Sequence, residues 1–308
     1  MTIPRYVLAS IESGGGPKTA VVYDDTVYEL PGGPSMRMVL DDWPGWTGQI
    51  ESAIGAGRLG RGVPVRDVQF AAPLPEPRNL YMCGANYADH AREMRGLPRD
   101  APIARPLHGP FFFLKPTSTV VGPDSAVVLP HGIERLDWEV ELAAVIGTSA
   151  RNLSEQHALD CVAGYTVIND ISVRDRFKRE PAPEPPMAFD WFTQKGWATT
   201  CPMGPWLVPS KFCANPGDLK MTLMVNGLVK QNSTTAEMIF DLKAQIAFLS
   251  RIVQLLPGDV IATGTPAGVG AGDKNSRYLQ PGDEMVAEVE GIGTLRNRIE
   301  PEQLNAAA

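Results

Sequence analysis

The chain has 308 residues, of which 44% are hydrophobic, with a formal net charge of −7. That is enough apolar material for one large domain, or a large one with a small one attached. The mild acidity argues against a nucleic-acid interface, which would need a basic face. No apolar run approaches the length of a membrane span, and the N-terminal stretch MTIPRYVLAS lacks the apolar core of a secretory signal, so a cytoplasmic enzyme is expected. Cys83, Cys161, Cys201 and Cys213 show no CxxC spacing and read as free thiols in a reducing compartment.

In chain order, Tyr6–Ser10, Thr19–Tyr23 and Thr26–Leu30 are β-rich, with a hairpin turn at Asp24-Asp25, and a helical stretch follows over Met36–Ile54. Pro73, Pro75 and Pro77 punctuate a linker. They place the end of a small N-terminal domain near residue 75, with a second domain over 76–308. Next come a strand at Asn79–Cys83, a helix-like segment at Tyr87–Met94 and a strand at Leu136–Ile146. Ser154–Ala163 reads as a helix leading into a strand at Gly164–Asp170. Residues 179–188, REPAPEPPMA, hold four prolines and must be a loop. Asn226-Gly227 between Leu219–Val225 and Leu228–Lys230 is a strong hairpin signal. A helix at Asp241–Gln254, with apolar residues at helical spacing, precedes strands at Val260–Thr263, Glu284–Val289 and Gly293–Ile299. There is no repeat and no low-complexity tract beyond Ala306–Ala308. Strands outnumber helices and form hairpins, which indicates a strand-rich α+β protein and excludes a doubly wound parallel fold.

Five local patterns carry chemistry. Glu139 and Glu141 lie two apart on an apolar strand, so their carboxylates leave the same face. Unless that strand is a solvated edge, such a pair needs a bound cation or an Arg or Lys. Asp170 ends a strand that is otherwise nearly all apolar; it is either a third ligand or a turn cap. Three carboxylates suit a hard cation, Mg²⁺ or Mn²⁺, and four histidines without zinc-like spacing disfavour zinc. His90 and Glu93 share a helical face, as a general base and its orienting carboxylate or as a surface pair. Lys195, after the aromatic run at 189–192, could stabilise an enolate or simply be solvated. The segment Gly258–Gly270 runs from a strand into a Gly- and Thr-rich loop, an anion nest for a carboxylate or a plain turn.

Taken together and in this order, the segments Asn86–Glu93, Asp137–Leu142, Gly164–Asp175, Gln194-Lys195 and Thr263–Gly270 resemble the fumarylacetoacetate hydrolase superfamily. The resemblance spans roughly 75–300 and implies a mixed β-roll with a small N-terminal domain, assembled as a homodimer. It implies Glu139, Glu141 and Asp170 as ligands of Mg²⁺ or Mn²⁺. His90 with Glu93 becomes the water-activating dyad, and Lys195 the charge stabiliser. Tyr87, Arg174 and Thr265 become contacts to a small 2-keto acid. Two positions depart from the founding enzyme. Ala85 stands where it carries a further acidic ligand, and Phe177 where it has a substrate-contacting Gln. The chain thus looks closer to the acylpyruvase and oxaloacetate decarboxylase branch, or to bacterial hydrolases, hydratases and isomerases of aromatic and sugar-acid breakdown, with 179–188 as a lid. The implied activity is hydrolysis of a C–C bond in a 1,3-diketo or acylpyruvate-type acid, in the catabolism of aromatic compounds or sugar acids. The alternative is a decarboxylase, hydratase or enol–keto isomerase acting on a 2-oxo-dicarboxylate.

Overall fold

The computed structural model describes residues 5–273 and 277–303; the alanine tail and the first four residues lie outside this range. A twelve-stranded sheet forms the frame. Its central path runs Val7–Ile11, Cys201–Pro209, Val162–Asn169, Val140–Ile146, Val260–Ala262, Leu80–Gly84 and Phe111–Lys115. The N-terminal hairpin Lys18–Tyr23 and Thr26–Glu29 extends the same sheet, with Leu8 opposite Leu207. A five-stranded sheet covers one face, ordered Leu228–Thr234, Lys220–Val225, Glu284–Val289, Gly293–Pro301 and Ala126–Leu129. With strands in mixed sheets and few helices, the architecture is the strand-rich α+β fold that the sequence indicates.

Every residue of Val140–Ile146 and of Val162–Asn169 is buried. Both faces of the central sheet are covered, so the strands read as continuous apolar runs instead of alternating ones. Leu142, Ala144 and Ile146 pack towards Met221, Leu223 and the helix Leu242–Ile252. Ala143 and Val145 pack in the other direction, in a cluster with Val39, Leu40 and Ile50 of the N-terminal helices. Glu141 has the parity of Ala143 and sits in a strand flanked on both sides, not at a solvated edge.

Several elements differ from expectation for identifiable reasons. The stretch read as one helix over Met36–Ile54 is two, Met36–Asp41 and Trp43–Gly55. Asp42 accepts from the Gly45 N–H at 3.3 Å, and Pro44 sits in the first turn of the second helix, where its missing N–H costs nothing but would interrupt a continuous one. The strand expected over Leu136–Ile146 breaks at Trp138-Glu139, and Leu136–Asp137 pairs instead with Ser172–Val173. Side-chain acceptors take the backbone donors there: Asp137 Oδ1 from Trp138 N at 2.9 Å and Asn169 Oδ1 from Glu139 N at 2.9 Å. Instead of an α-helix, Ser154–Ala163 holds a 3₁₀ helix, Glu155–Cys161, because Val162 and Ala163 already belong to the next strand. Cys201–Pro209, with three prolines, escaped notice; a register shift opposite Tyr165/Val167 removes Pro205 from the ladder. Asn226 and Gly227 both have positive φ, 51° and 76°, as a tight hairpin turn requires.

Candidate active site

Backbone junctions bring the three carboxylates together. Glu139 immediately precedes the central strand Val140–Ile146, Glu141 is its second residue, and Asp170 follows the adjacent strand. The Asp170 N–H donates to Glu139 O at 2.8 Å, which locks the two strand ends side by side. Glu139, Glu141 and Asp170 are all buried, and their ligand-capable oxygens lie within 4.8 Å of one another.

Cations surround this cluster unevenly. Lys195 Nζ reaches Asp170 Oδ2 at 2.5 Å and Glu139 Oε2 at 2.8 Å. Lys115 Nζ reaches Asp170 Oδ1 at 2.7 Å. Arg174 joins Glu139 Oε1 at 2.6 Å to Asp137 Oδ2 at 2.8 Å. Among the described residues, four carboxylates thus face three cations, and Glu141 accepts only the Gly264 N–H, at 2.8 Å. Burial, then the Asp170 and Glu139 carboxylates, push the Glu141 carboxyl well above the usual range. Burial would raise Glu139 too, but Lys195 and Arg174 outweigh it and hold that carboxyl down at about 2. Burial works against the Lys195 charge, yet Asp170 and Glu139 overcome it and keep the ammonium protonated. Lys195 is therefore a buried charge, not a solvated surface lysine. The sequence alternatives for Glu139 and Glu141, a cation or a basic side chain, divide between the two residues. Glu139 has its basic partners, and Glu141 lacks one. An all-oxygen donor set with surplus negative charge fits a hard divalent cation.

The carboxylates open onto a cavity of about 660 Å³ that is also lined by His90, Arg174, Lys195 and Thr265. His90 and Glu93 lie on the helix Ala88–Arg95, with Nδ1 to Oε2 at 3.6 Å, an ion-pair distance too long for a hydrogen bond. His90 Nδ1 is buried without a hydrogen-bond partner among the described residues, while both Glu93 oxygens accept from Gly268 N at 3.0 Å. Gly268 has φ +101°, and a Cβ there would meet Lys230 O at 2.0 Å, so only glycine presents this N–H.

Three sequence expectations change. Tyr87 does not face the cavity; it is fully buried, and its hydroxyl lies 3.2 Å from Met221 Sδ, so it serves the core. Thr265 lines the cavity, but its hydroxyl proton goes to Val140 O at 2.9 Å and its oxygen accepts from Gln231, so it has no free donor for a substrate carboxylate. The Gly- and Thr-rich loop is a nest for the protein's own anions: Gly264 serves Glu141, Gly268 serves Glu93, and Gly270 and Ala271 serve Asp137.

The sequence reading missed Lys115, fully buried at the end of the strand Phe111–Lys115. A single cation closing the run Phe-Phe-Phe-Leu was the available signal. It also assigned no role to Gln194, whose buried Oε1 has no donor among the described residues and which lines the same cavity. Of the departing positions, Ala85 and Phe177 both line it. Residues 179–188 are clipped at their base by a bridge between Lys178 and Phe189, and a 3₁₀ turn at Pro185–Ala188 lies within them.

The family model for the C-terminal region of fumarylacetoacetate (FAA) hydrolase matches residues 79–300. The chain belongs to the fumarylacetoacetate hydrolase family. A human mitochondrial oxaloacetate tautomerase is 39% identical over 290 residues, covering 93% of this chain and 85% of the relative. A maleylpyruvate hydrolase from a Sphingobium species, solved with manganese(II) and pyruvate, superposes with a TM-score of 0.76 at 28% identity, covering 96% of this chain and all of that one. A 2-hydroxyhepta-2,4-diene-1,7-dioate isomerase from Mycobacterium marinum gives a TM-score of 0.71 at 31% identity, covering 97% and 99%. Family membership and these relatives make the chain an enzyme of this group. No helix among the described residues is long and apolar enough to cross a membrane.

Proposed function

We propose that this enzyme hydrolyses a C–C bond in an acylpyruvate-type 1,3-diketo acid. The carrying observation is that three buried carboxylates able to share a cation open onto the same cavity as a histidine and a buried ammonium. Mg²⁺ or Mn²⁺ held by Glu139, Glu141 and Asp170 would supply Lewis acidity and chelation of the carboxylate and 2-oxo oxygens. His90 takes a proton from a water as its oxygen adds to the distal carbonyl, and Glu93 balances the imidazolium. Collapse of the adduct breaks the bond to the methylene carbon and leaves the electron pair in an enolate, which faces the fixed positive charge of Lys195. Return of the proton from His90 to that carbon yields a carboxylic acid and a pyruvate-type acid. Arg174 holds Glu139 in place from the cavity wall.

The names of two relatives favour a second reading, enol–keto isomerisation of a 2-oxo-dicarboxylate. It uses the same enolate without adding water to a carbonyl. One Mn²⁺-loaded preparation assayed with acetylpyruvate and with oxaloacetate separates them. Hydrolysis of acetylpyruvate supports the first; oxaloacetate tautomerisation without it replaces the first with the second. We also propose a homodimer with residues 1–75 as a small domain, on the strength of the family resemblance; sedimentation tests the assembly.

A further inference from the structure

The cavity is far larger than a three- or four-carbon acid needs, and its outer wall is aromatic. Lys195 Nζ lies 5.7 Å from the centre of the Phe113 ring. From there the rings form a continuous path. Phe113 to Trp191 is 5.1 Å between centroids, Trp191 to Phe177 is 5.0 Å, and Phe177 to Phe189 is 5.1 Å. Phe113, Trp191 and Phe177 line the cavity and are only partly buried, and Phe189 is exposed at the base of the 179–188 loop. Apolar ring surface is therefore left open along a track that starts at the charged centre and leads outward. Of the polar groups of the wall, Arg135 donates to the Tyr278 hydroxyl at 3.0 Å and lies against its ring, and Arg174 is held by two carboxylates, whereas His90 Nδ1 and Gln194 Oε1 lack hydrogen-bond partners among the described residues. Lys178, exposed at the rim, is the competing feature and would favour an acidic tail.

We propose that the substrate carries a planar aromatic or comparably flat apolar substituent on the far side of its keto-acid head, and that Phe113, Phe177 and Trp191 select it. Offset and edge-on ring contacts reward a flat tail between these residues, and a pocket gains specificity from the apolar area it removes from water. This inference rests on the keto-acid reading of the site and deepens it by naming the substrate class.

Three non-reacting ligands with one chelating head separate the alternatives: oxamate, N-phenyloxamate and N-oxalylglycine, the last with a carboxylate tail. Their binding to the Mn²⁺-loaded protein is measured by calorimetry. N-phenyloxamate should bind about tenfold or more tighter than oxamate, the factor expected for burying a phenyl group. It should also bind tighter than N-oxalylglycine. In Phe177→Gln the ratio of N-phenyloxamate to oxamate affinity should fall towards one. Phe177→Leu, which keeps apolar packing but removes the ring, should lower it as well and serves if the Gln variant does not fold. Equal affinities for oxamate and N-phenyloxamate, or tightest binding of N-oxalylglycine, would overturn the inference while leaving the keto-acid reading intact. Failure of all three to bind in the presence of Mn²⁺ would overturn the keto-acid reading and this inference with it.

Discussion

Replacing Glu141 by Gln separates a metal ligand from a structural carboxylate. In the metal-free protein Glu141 faces Asp170 and Glu139 with ligand oxygens within 4.8 Å and one backbone N–H for support. At that distance, with an effective dielectric of about 20, each like-charge pair costs about 3.5 kcal/mol or more. Lys195 offsets part of this, and holding a proton on Glu141 relieves more. The signs follow from the folded and unfolded states. A carboxyl raised above its ordinary 4.5 binds its proton more tightly in the folded protein, so its stabilising contribution is complete below about pH 4.5 and is lost as pH rises towards the folded value. Gln carries no such loss. In chelator at pH 8, Glu141→Gln should therefore be more stable than the unchanged protein by about 1–3 kcal/mol, and the margin should shrink as pH falls towards 5. With Mn²⁺ at about 100 times its Kd, the unchanged protein should gain about 2.7 kcal/mol and the variant almost none. Denaturant unfolding in EDTA and in Mn²⁺, at pH 5 and 8, reads all four values. A variant that is less stable in EDTA and keeps its Mn²⁺ gain would refute the reasoning.

Asp170→Ala should abolish metal binding and also cost about 3–5 kcal/mol in EDTA, because the fully buried Lys115 loses its only carboxylate partner among the described residues; Asp170→Asn, assayed for Mn²⁺ by calorimetry, separates the two losses. His90→Ala should lose nearly all acylpyruvate hydrolysis while retaining part of any oxaloacetate decarboxylation, measured on one preparation, and an unchanged hydrolysis rate would remove the water-activating role. Acid should cost stability through Glu139. Its carboxyl is depressed to about 2, so its contribution is whole above about pH 4.5 and falls away between there and pH 2, which chemical denaturation at pH 3 and 5 would register. Residues 86–100 and 179–190 should gain hydrogen-exchange protection on binding a tight 2-keto acid analogue; equal rates with and without it would count against a closing lid.

Much of the local structure could be read from residue order, because it depends on neighbours. The Asn226-Gly227 turn, the capped helix after Asp241 and the short N-terminal strands follow from φ preferences, capping and β-propensity. The carboxylates at 139, 141 and 170 were legible for the same reason, since a charge inside a nearly all-apolar run is costly without a partner. What the linear order could not supply was the partner itself. Lys115 meets Asp170 across 55 positions, and Lys195 meets Glu139 across 56. The division of Glu139 and Glu141 into a compensated and an uncompensated carboxylate is decided by which cations the sheet delivers. The Gly- and Thr-rich loop looked like a nest for substrate, yet its N–H groups serve Glu93, Asp137 and Glu141. The family resemblance placed Tyr87 at the substrate, but this residue caps the start of the helix Ala88–Arg95 and its side chain enters the core. Residue type and spacing thus determined which groups needed an opposite charge; only the packing of distant strands decided which of them received it from the protein and which did not.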